Sequence, residues 1–308
     1  MTREMCRKCG SHLDQIHMDA GADYHPACDP QVLYDERNAV LRGQIMDFIT
    51  YADDNAARTL QTAIGPSEIG HPCDHFIARV LAGSKQVNFR ADPWPALVGT
   101  AIHSWLEEAV GFYQKDAGDD RLRKWRTELE MPVDEMITAH SDLYDGQDVI
   151  DWKTVNGIED IKSLKKHGLP DHAPDLPHHY RVQLQTYGLA HERAGRPVRD
   201  VVLVFFPRGG RLRDMWIYRE PYDRRIALAA LKRVYGIASQ MIKLESDGVE
   251  NIWPQVPMTP GSQCWPCEYN NNRLSSDQGP DESGCPGSNG TAEEMKVARE
   301  AREFKGIL

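Results

Sequence analysis

AHSDLYDGQDVIDWKT, residues 139–154, reads as a β-hairpin carrying two carboxylates and a lysine. Thr138 to Tyr144 and Val149 to Thr154 have strand character, and Asp145-Gly146 marks the turn between them. Side chains alternate faces along a strand, so Asp151 and Lys153 point the same way, while Ile150 and Trp152 point to the opposite, core-packed face. If the loop is Asp145 to Asp148, Tyr144 pairs with Val149 and Asp142 lies directly opposite Asp151. A two-residue Asp-Gly loop shifts the pairing but leaves Asp142 on the same face. Residues directly opposite have Cβ atoms about 5 Å apart, close enough for two carboxylates to share one cation. The same three polar side chains also fit an ordinary solvated hairpin.

Working outward, the 308 residues are enough for a real core in one or two domains, and the 41% apolar content is that of a soluble globular protein. No apolar run approaches the roughly 20 residues of a membrane span and the N-terminus lacks an apolar signal segment, so a cytoplasmic location without membrane contact is expected. The net charge of −10 argues against general affinity for nucleic acid. An acidic metal site and a local basic groove can nevertheless coexist in an acidic whole. Basic clusters occur at Arg121, Arg123, Lys124 and Arg126, at Lys162, Lys165 and Lys166, and at Arg208, Arg211 and Arg213; each also fits a solvated face.

The cysteines divide into three and four. In CRKCGSHLDQIHMDAGADYHPAC, Cys6 and Cys9 form one tight pair and His25 with Cys28 a second, a donor set suited to a closed tetrahedral zinc site; His12 and His17 lack the paired spacing. Cys73 lies ahead of the hairpin, and Cys264, Cys267 and Cys285 lie far behind it. In a reducing compartment such clustering points to metal, not to disulfides. Four cysteines are what a cubane iron–sulfur cluster uses, and a second zinc ion would use the same four. Either would staple the two ends of a domain together.

The order of elements predicts an α/β chain. Residues 1–30 read as a small zinc module and 31–64 as a helical connector broken by Gly65-Pro66. Ser67 and Glu68 open the next helix, Pro93-Trp94-Pro95 makes a turn, and a helix runs from Ala96 to Gln114. Strands follow around Arg126 to Val133 and in the hairpin, then a polar segment, Asn156 to Pro177, with a basic helix inside. Helix Tyr180 to Ala194, strand Val201 to Phe206, a Gly209-Gly210 turn, strand Leu212 to Tyr218 and helix Tyr222 to Glu245 complete a core over 65–290, and 291–308 reads as a charged helical tail. Helix Ala96 to Gln114 carries His103 with Glu107 one turn later on the same face, and Gln183 and Tyr187 are likewise one turn apart on theirs. A neutral imidazole is a good manganese ligand, although a lone histidine on an amphipathic helix is usually structural.

Taken together, Cys73, GTAIH with His103, Asp142, DWK with Asp151 and Lys153, QLQTY with Gln183 and Tyr187, and the three closing cysteines resemble the RecB-like exonucleases of the PD-(D/E)xK superfamily. The order matches in particular the CRISPR-adaptation-type branch with an iron–sulfur cluster, in a phage-type member. The resemblance covers residues 65 to 287. It departs where Ala139 and His140 stand in place of a common glycine and where the gap between Cys267 and Cys285 is long. It implies a restriction-endonuclease-like core, a mixed β-sheet flanked by helices, behind the N-terminal zinc module. It further implies a divalent metal, Mg²⁺ or Mn²⁺, on His103, Asp142, Asp151 and the Trp152 carbonyl. Lys153 would position or activate water, Gln183 and Tyr187 would hold DNA, and Cys73, Cys264, Cys267 and Cys285 would bind a 4Fe-4S cluster. The expected activity is a metal-dependent DNA exonuclease acting on ends or single strands in phage or bacterial replication, recombination or repair, where recombination or replication proteins are candidate partners. The competing expectations are a non-catalytic DNA-binding recombination adaptor and a site-specific endonuclease of the same fold.

Overall fold

The computed structural model describes residues 30–55, 64–88, 94–116, 124–166 and 176–296. The expected zinc ligands Cys6, Cys9, His25 and Cys28 lie outside them, as do Arg121 and Arg123. Two compact units are present, Met1–Gln61 and Thr62–Leu308. The first contributes one long helix, α1 (Pro30–Asp54).

The second unit opens with α2 (Pro66–Ile69), α3 (Asp74–Leu81) and α4 (Trp94–Asp116). The helix expected from Ser67 is thus broken in two. A Cβ on Gly70 would lie 2.8 Å from the His179 backbone, so the chain presses backbone to backbone there and restarts with Cys73 as the α3 N-cap. Trp94 and Pro95, expected in a turn, belong to the first turn of α4, where the missing proline N–H would have no helical partner anyway.

A five-stranded mixed sheet follows in the order β1-β2-β3-β4-β5: β1 (Arg126–Pro132), β2 (Thr138–Tyr144), β3 (Val149–Gly157), β4 (Asp200–Gly209) and β5 (Trp216–Pro221). β3 and β4 are parallel and joined through α5 (Ile158–Lys166) and α6 (His178–Arg193), whereas the other neighbours are antiparallel. β4 is an interior strand, and its run Val201 to Phe205 is buried on both faces, as a strand covered on two sides requires. Ile150, Val202 and Val204 pack on one face with Trp152, while Val149, Val201, Leu203 and Phe205 pack on the other beneath α6 and α7 (Arg224–Ser246).

The strand expected from Leu212 begins only at Trp216. Asp214 accepts the Arg211 N–H at 3.0 Å and winds Leu212–Asp214 into a short 3-10 turn; Trp216 then stacks on Phe205. Beyond α7 the chain carries little regular structure up to residues 292–296, the helical start of the tail. Among the described residues no helix is long and apolar enough to cross a membrane.

Candidate active site

The hairpin is built on the four-residue alternative. Tyr144 pairs with Val149, and Asp145 Oδ1 accepts the N–H groups of Gln147 (2.9 Å) and Asp148 (2.7 Å), an Asx turn eased by Gly146 at φ 105°. Asp148, 1% exposed, anchors the loop to the sheet through Arg199 and Arg219, whose charges overcome its burial and hold its pKa below the usual carboxylate value. This register sets Asp142 opposite Asp151. The backbone ladder, however, stops one step short, at Leu143 and Ile150. Beyond it the strands separate, and Asp142 Oδ2 accepts the Trp152 N–H at 2.6 Å in place of a backbone carbonyl. The pleat of β2 is broken at the same point: Ser141 bonds His191 at 2.9 Å and Tyr144 stacks on the same ring, although they are an odd number of residues apart.

Helix α4 brings His103 to this opening, Nδ1 lying 3.3 Å from Asp142 Oδ1. Burial alone would lower the imidazole pKa, but the hydrogen-bonding carboxylate of Asp142 and the charge of Asp151 outweigh it and raise it. Asp151 is 2% exposed. Burial pushes its carboxyl up to about 6, against the pull of Lys153. Lys153 Nζ stands 2.6 Å from the buried Asp151 Oδ2 as an ion pair, so the ammonium is that oxygen's partner. For Lys153 itself burial lowers the pKa, but Asp151 and Asp142 outweigh it and the net shift is upward. The two shifts differ in what they favour. Both still leave the pair ionised at neutral pH, so Lys153 stands as an ammonium. Tyr180 of α6 adds its ring face 5.4 Å from Nζ.

Gln183 and Tyr187 stand on the same helix, both buried, with Gln183 Nε2 donating to the Tyr187 hydroxyl at 2.7 Å. Burial, with Asp151 and Asp142 nearby, drives the phenol well above its usual range and keeps it neutral. They therefore back the carboxylates from the interior. Of the basic clusters, exposed Lys162 pairs with Glu159, and Arg208 reaches Asn156 and the Pro95 carbonyl.

Glu128 of β1 was not among the expected residues, although the antiparallel register with β2 places it opposite Asp142. His103, Glu128 and Asp142 offer ligand atoms all within 4.8 Å of one another. The available signal was positional: once β1 and β2 are paired around Pro132 and Thr138, counting back reaches Glu128. Three carboxylates and an imidazole form an oxygen-rich donor set that fits Mg²⁺ or Mn²⁺.

The four later cysteines also converge. Cys73, Cys264, Cys267 and Cys285 line one cavity of about 20 Å³, with Phe76 and Tyr269 in its wall. Burial pushes Cys267 up to about 12 and Cys285 up to about 11, so these thiols stay protonated unless a cation compensates them. The N–H of Gly287 points at Cys285 Sγ (3.3 Å), and that of Thr259 at Cys73 Sγ (3.4 Å). Gly287 has a left-handed backbone, and a Cβ there would lie 2.9 Å from that of Cys264. Four soft donors facing one cavity, with His71 and His75 also in its lining, fit a metal or a cluster.

No family model matches the chain, and no curated protein matches it. Among solved structures it is similar to an alkaline exonuclease (LHK-Exo) from Laribacter hongkongensis, with a TM-score of 0.39 at 15% identity over 60% of this chain and 89% of that one. The same enzyme in complex with dAMP gives 0.38 at 15% identity over 60% and 89%. A presumed exonuclease from Eubacterium rectale gives 0.38 at 14% identity over 64% and 86%. Superposition at this level is too loose to carry residue roles across.

Proposed function

We propose that the chain is a metal-dependent deoxyribonuclease, an exonuclease that hydrolyses phosphodiester bonds at DNA ends or in single strands. The observation that carries this reading is the convergence of Asp142, Asp151, His103 and Lys153 where β2 and β3 part, with Asp151 Oδ2 buried against the Lys153 ammonium. His103, Asp142, Asp151 and the Trp152 carbonyl would hold Mg²⁺ or Mn²⁺. A divalent cation there supplies Lewis-acid polarisation of the scissile phosphate and lowers the pKa of water. The remaining work falls to the side chains. Lys153, held as an ammonium by the two carboxylates, orients the attacking water and offsets negative charge growing on the phosphoryl oxygens. It is not the base in this arrangement. Asp142 is locked by the Trp152 N–H, and Gln183 and Tyr187 brace the wall behind Asp151.

The four-cysteine cavity is assigned to a structural 4Fe-4S cluster, the second zinc ion being the alternative. Cys6, Cys9, His25 and Cys28 are assigned to a separate zinc ion.

The test is digestion of end-labelled single- and double-stranded linear DNA, beside closed circular DNA, with Mg²⁺ or EDTA and an Asp151→Asn variant. Linear DNA should be degraded only with Mg²⁺, circular DNA should survive, and the variant should be inactive. Discrete products from circular DNA would make the chain an endonuclease. Binding without cleavage would make it an adaptor. The cluster assignment predicts a brown protein absorbing near 400 nm with about four irons per chain; colourless protein with zinc at both sites refutes it.

A further inference from the structure

From Lys153 the strand register continues outward, away from the carboxylates. Lys153 of β3 pairs with Phe205 of β4, and Phe205 pairs with Trp216 of β5. Paired residues project to the same side of a sheet, so these three side chains form one row across adjacent strands. With strands about 4.8 Å apart, Trp216 stands roughly 10 Å from Lys153 across the sheet. β5 is the edge strand, so the row ends at the rim of the sheet.

Rings fill the space between two ammonium groups along that row. Tyr180, in the first turn of α6, has its ring 5.4 Å from Lys153 Nζ and 6.3 Å from Phe205. Phe205 stacks on Trp216 at 5.3 Å, and Lys165 of α5 places its Nζ 6.0 Å from the Trp216 ring centre. Phe205 is fully buried and forms the floor, whereas Tyr180 and Trp216 are partly open to solvent and Lys165 is exposed. The first turn of α6 carries no acidic residue to repel a polyanion. Cations at both ends with aromatic faces between them suit a single strand of nucleic acid: phosphates meet the ammonium groups, and bases of any identity stack on the rings. A base inside a duplex has both faces covered by its neighbours, so such a track takes an unpaired strand.

We propose that Trp216 and Lys165 form a subsite for single-stranded DNA beside the reactive centre: an unpaired base stacks on Trp216, a neighbouring phosphate meets Lys165, and Tyr180 covers the step back to Lys153. This rests on reading the Lys153 site as a phosphodiester-cleaving centre. It gives that centre a strand preference, because a base reaches Trp216 only after it has left the duplex. Trp216 acts through its ring face and Lys165 through its charge, so the two contributions separate in measurement.

The experiment measures binding of a fluorescent oligothymidylate by anisotropy, with the full chain carrying Asp151→Asn and its cysteine sites loaded, so that no strand is cut. Trp216→Leu should weaken binding about tenfold, the worth of one stacked base, and Trp216→Phe should keep most of the affinity. Lys165→Gln changes an exposed side chain and leaves the fold intact; it should reduce the slope of log K against log[salt] by about 0.7. A single abasic position walked along the oligonucleotide should cost affinity at one place, and that cost should vanish in the Trp216→Leu protein. A blunt duplex should bind equally well with and without Trp216. Equal losses on duplex and single strand, an abasic cost that persists in the Trp216→Leu protein, or an unchanged salt slope overturns the subsite. Trp216-dependent binding of single strands by a chain that, with Asp151 intact, cuts nothing in Mg²⁺ keeps the subsite and removes the nuclease reading. Cleavage of single strands by Trp216→Leu with wild-type KM and kcat does the reverse.

Discussion

Asp151 and Lys153 show how a buried pair ties metal binding to stability. The folded-state pKa of Asp151 is raised by burial above its ordinary 3.8, to about 6, so protonation favours the fold. Its contribution is greatest below pH 3.8 and is lost as the pH rises through 6. Above that point Lys153 is the counter-charge. Lys153→Met should therefore cost about 3 kcal/mol at pH 8, where a carboxylate is left buried and unpaired, and much less at pH 5, where it takes up a proton. Thermal melts of both proteins at the two pH values check this, and an equal loss at each pH would refute it. Added Mg²⁺ should raise the melting temperature of wild type at pH 8, because a ligand that binds the folded form stabilises it by mass action. Much of this pair was legible in the sequence: period-two alternation puts Asp151 and Lys153 on one face in any strand. Glu128 was not, because its partner Asp142 is assigned by a register between strands and its side-chain direction by an unusual φ.

Helix α6 illustrates the next scale. Sequence periodicity placed it correctly over most of His178–Arg193, with Gln183 and Tyr187 one turn apart. That every residue from Val182 to His191 is buried came from packing, since the sheet, α2 and α7 cover it on all sides. His191 lies at its inner end, fully enclosed, with Nε2 2.9 Å from Ser141 Oγ and no hydrogen bond to Nδ1. Burial, reinforced by the charge of Arg196, lowers its pKa to about 4. For a base depressed in this way the unfolded chain binds the proton first. Its contribution to stability is complete above pH 6.5 and falls away as the pH drops to 4, by at most about 3 kcal/mol. Denaturant titrations between those pH values should show the loss, and His191→Gln should flatten the slope. The misplaced strand at Leu212 is an element-scale lesson as well. Alternating residues there looked extended, but the Asp214 carboxylate captured the N–H of Arg211, three residues earlier, and wound the turn first.

Across the second unit, the C-terminal segment is tied to α3 through one buried side chain. Arg79 of α3 is 2% exposed, lies 3.6 Å over the Trp253 ring, donates to His75 Nε2 at 3.1 Å and to the Gly284 carbonyl at 3.0 Å, and also reaches the Asp281 carbonyl. It thus holds the loop that carries Cys285 against the helix that Cys73 caps. Arg79→Met should cost about 3 kcal/mol, because the Asp281 and Gly284 carbonyls lose their donor inside the protein. The same variant should lose the 400 nm absorbance faster under a chelator. Melting curves and absorbance decay check both, and an unchanged rate of decay would separate the latch from the cysteine site.

By itself the sequence determined the local terms of the site: the alternation that places Asp151 and Lys153 together, the helix that carries His103, and the supply of four cysteines beyond the first three. These depend on φ/ψ periodicity within one element, which the chain states locally. The tertiary structure alone decided that β2 and β3 part at Asp142, that Asp142 completes its bonding with the Trp152 amide, and that Glu128 stands beside Asp142 and His103. Each of those is a contact between different elements. Its geometry is set by strand register and by how α3, α4 and α6 pack, neither of which any single segment encodes.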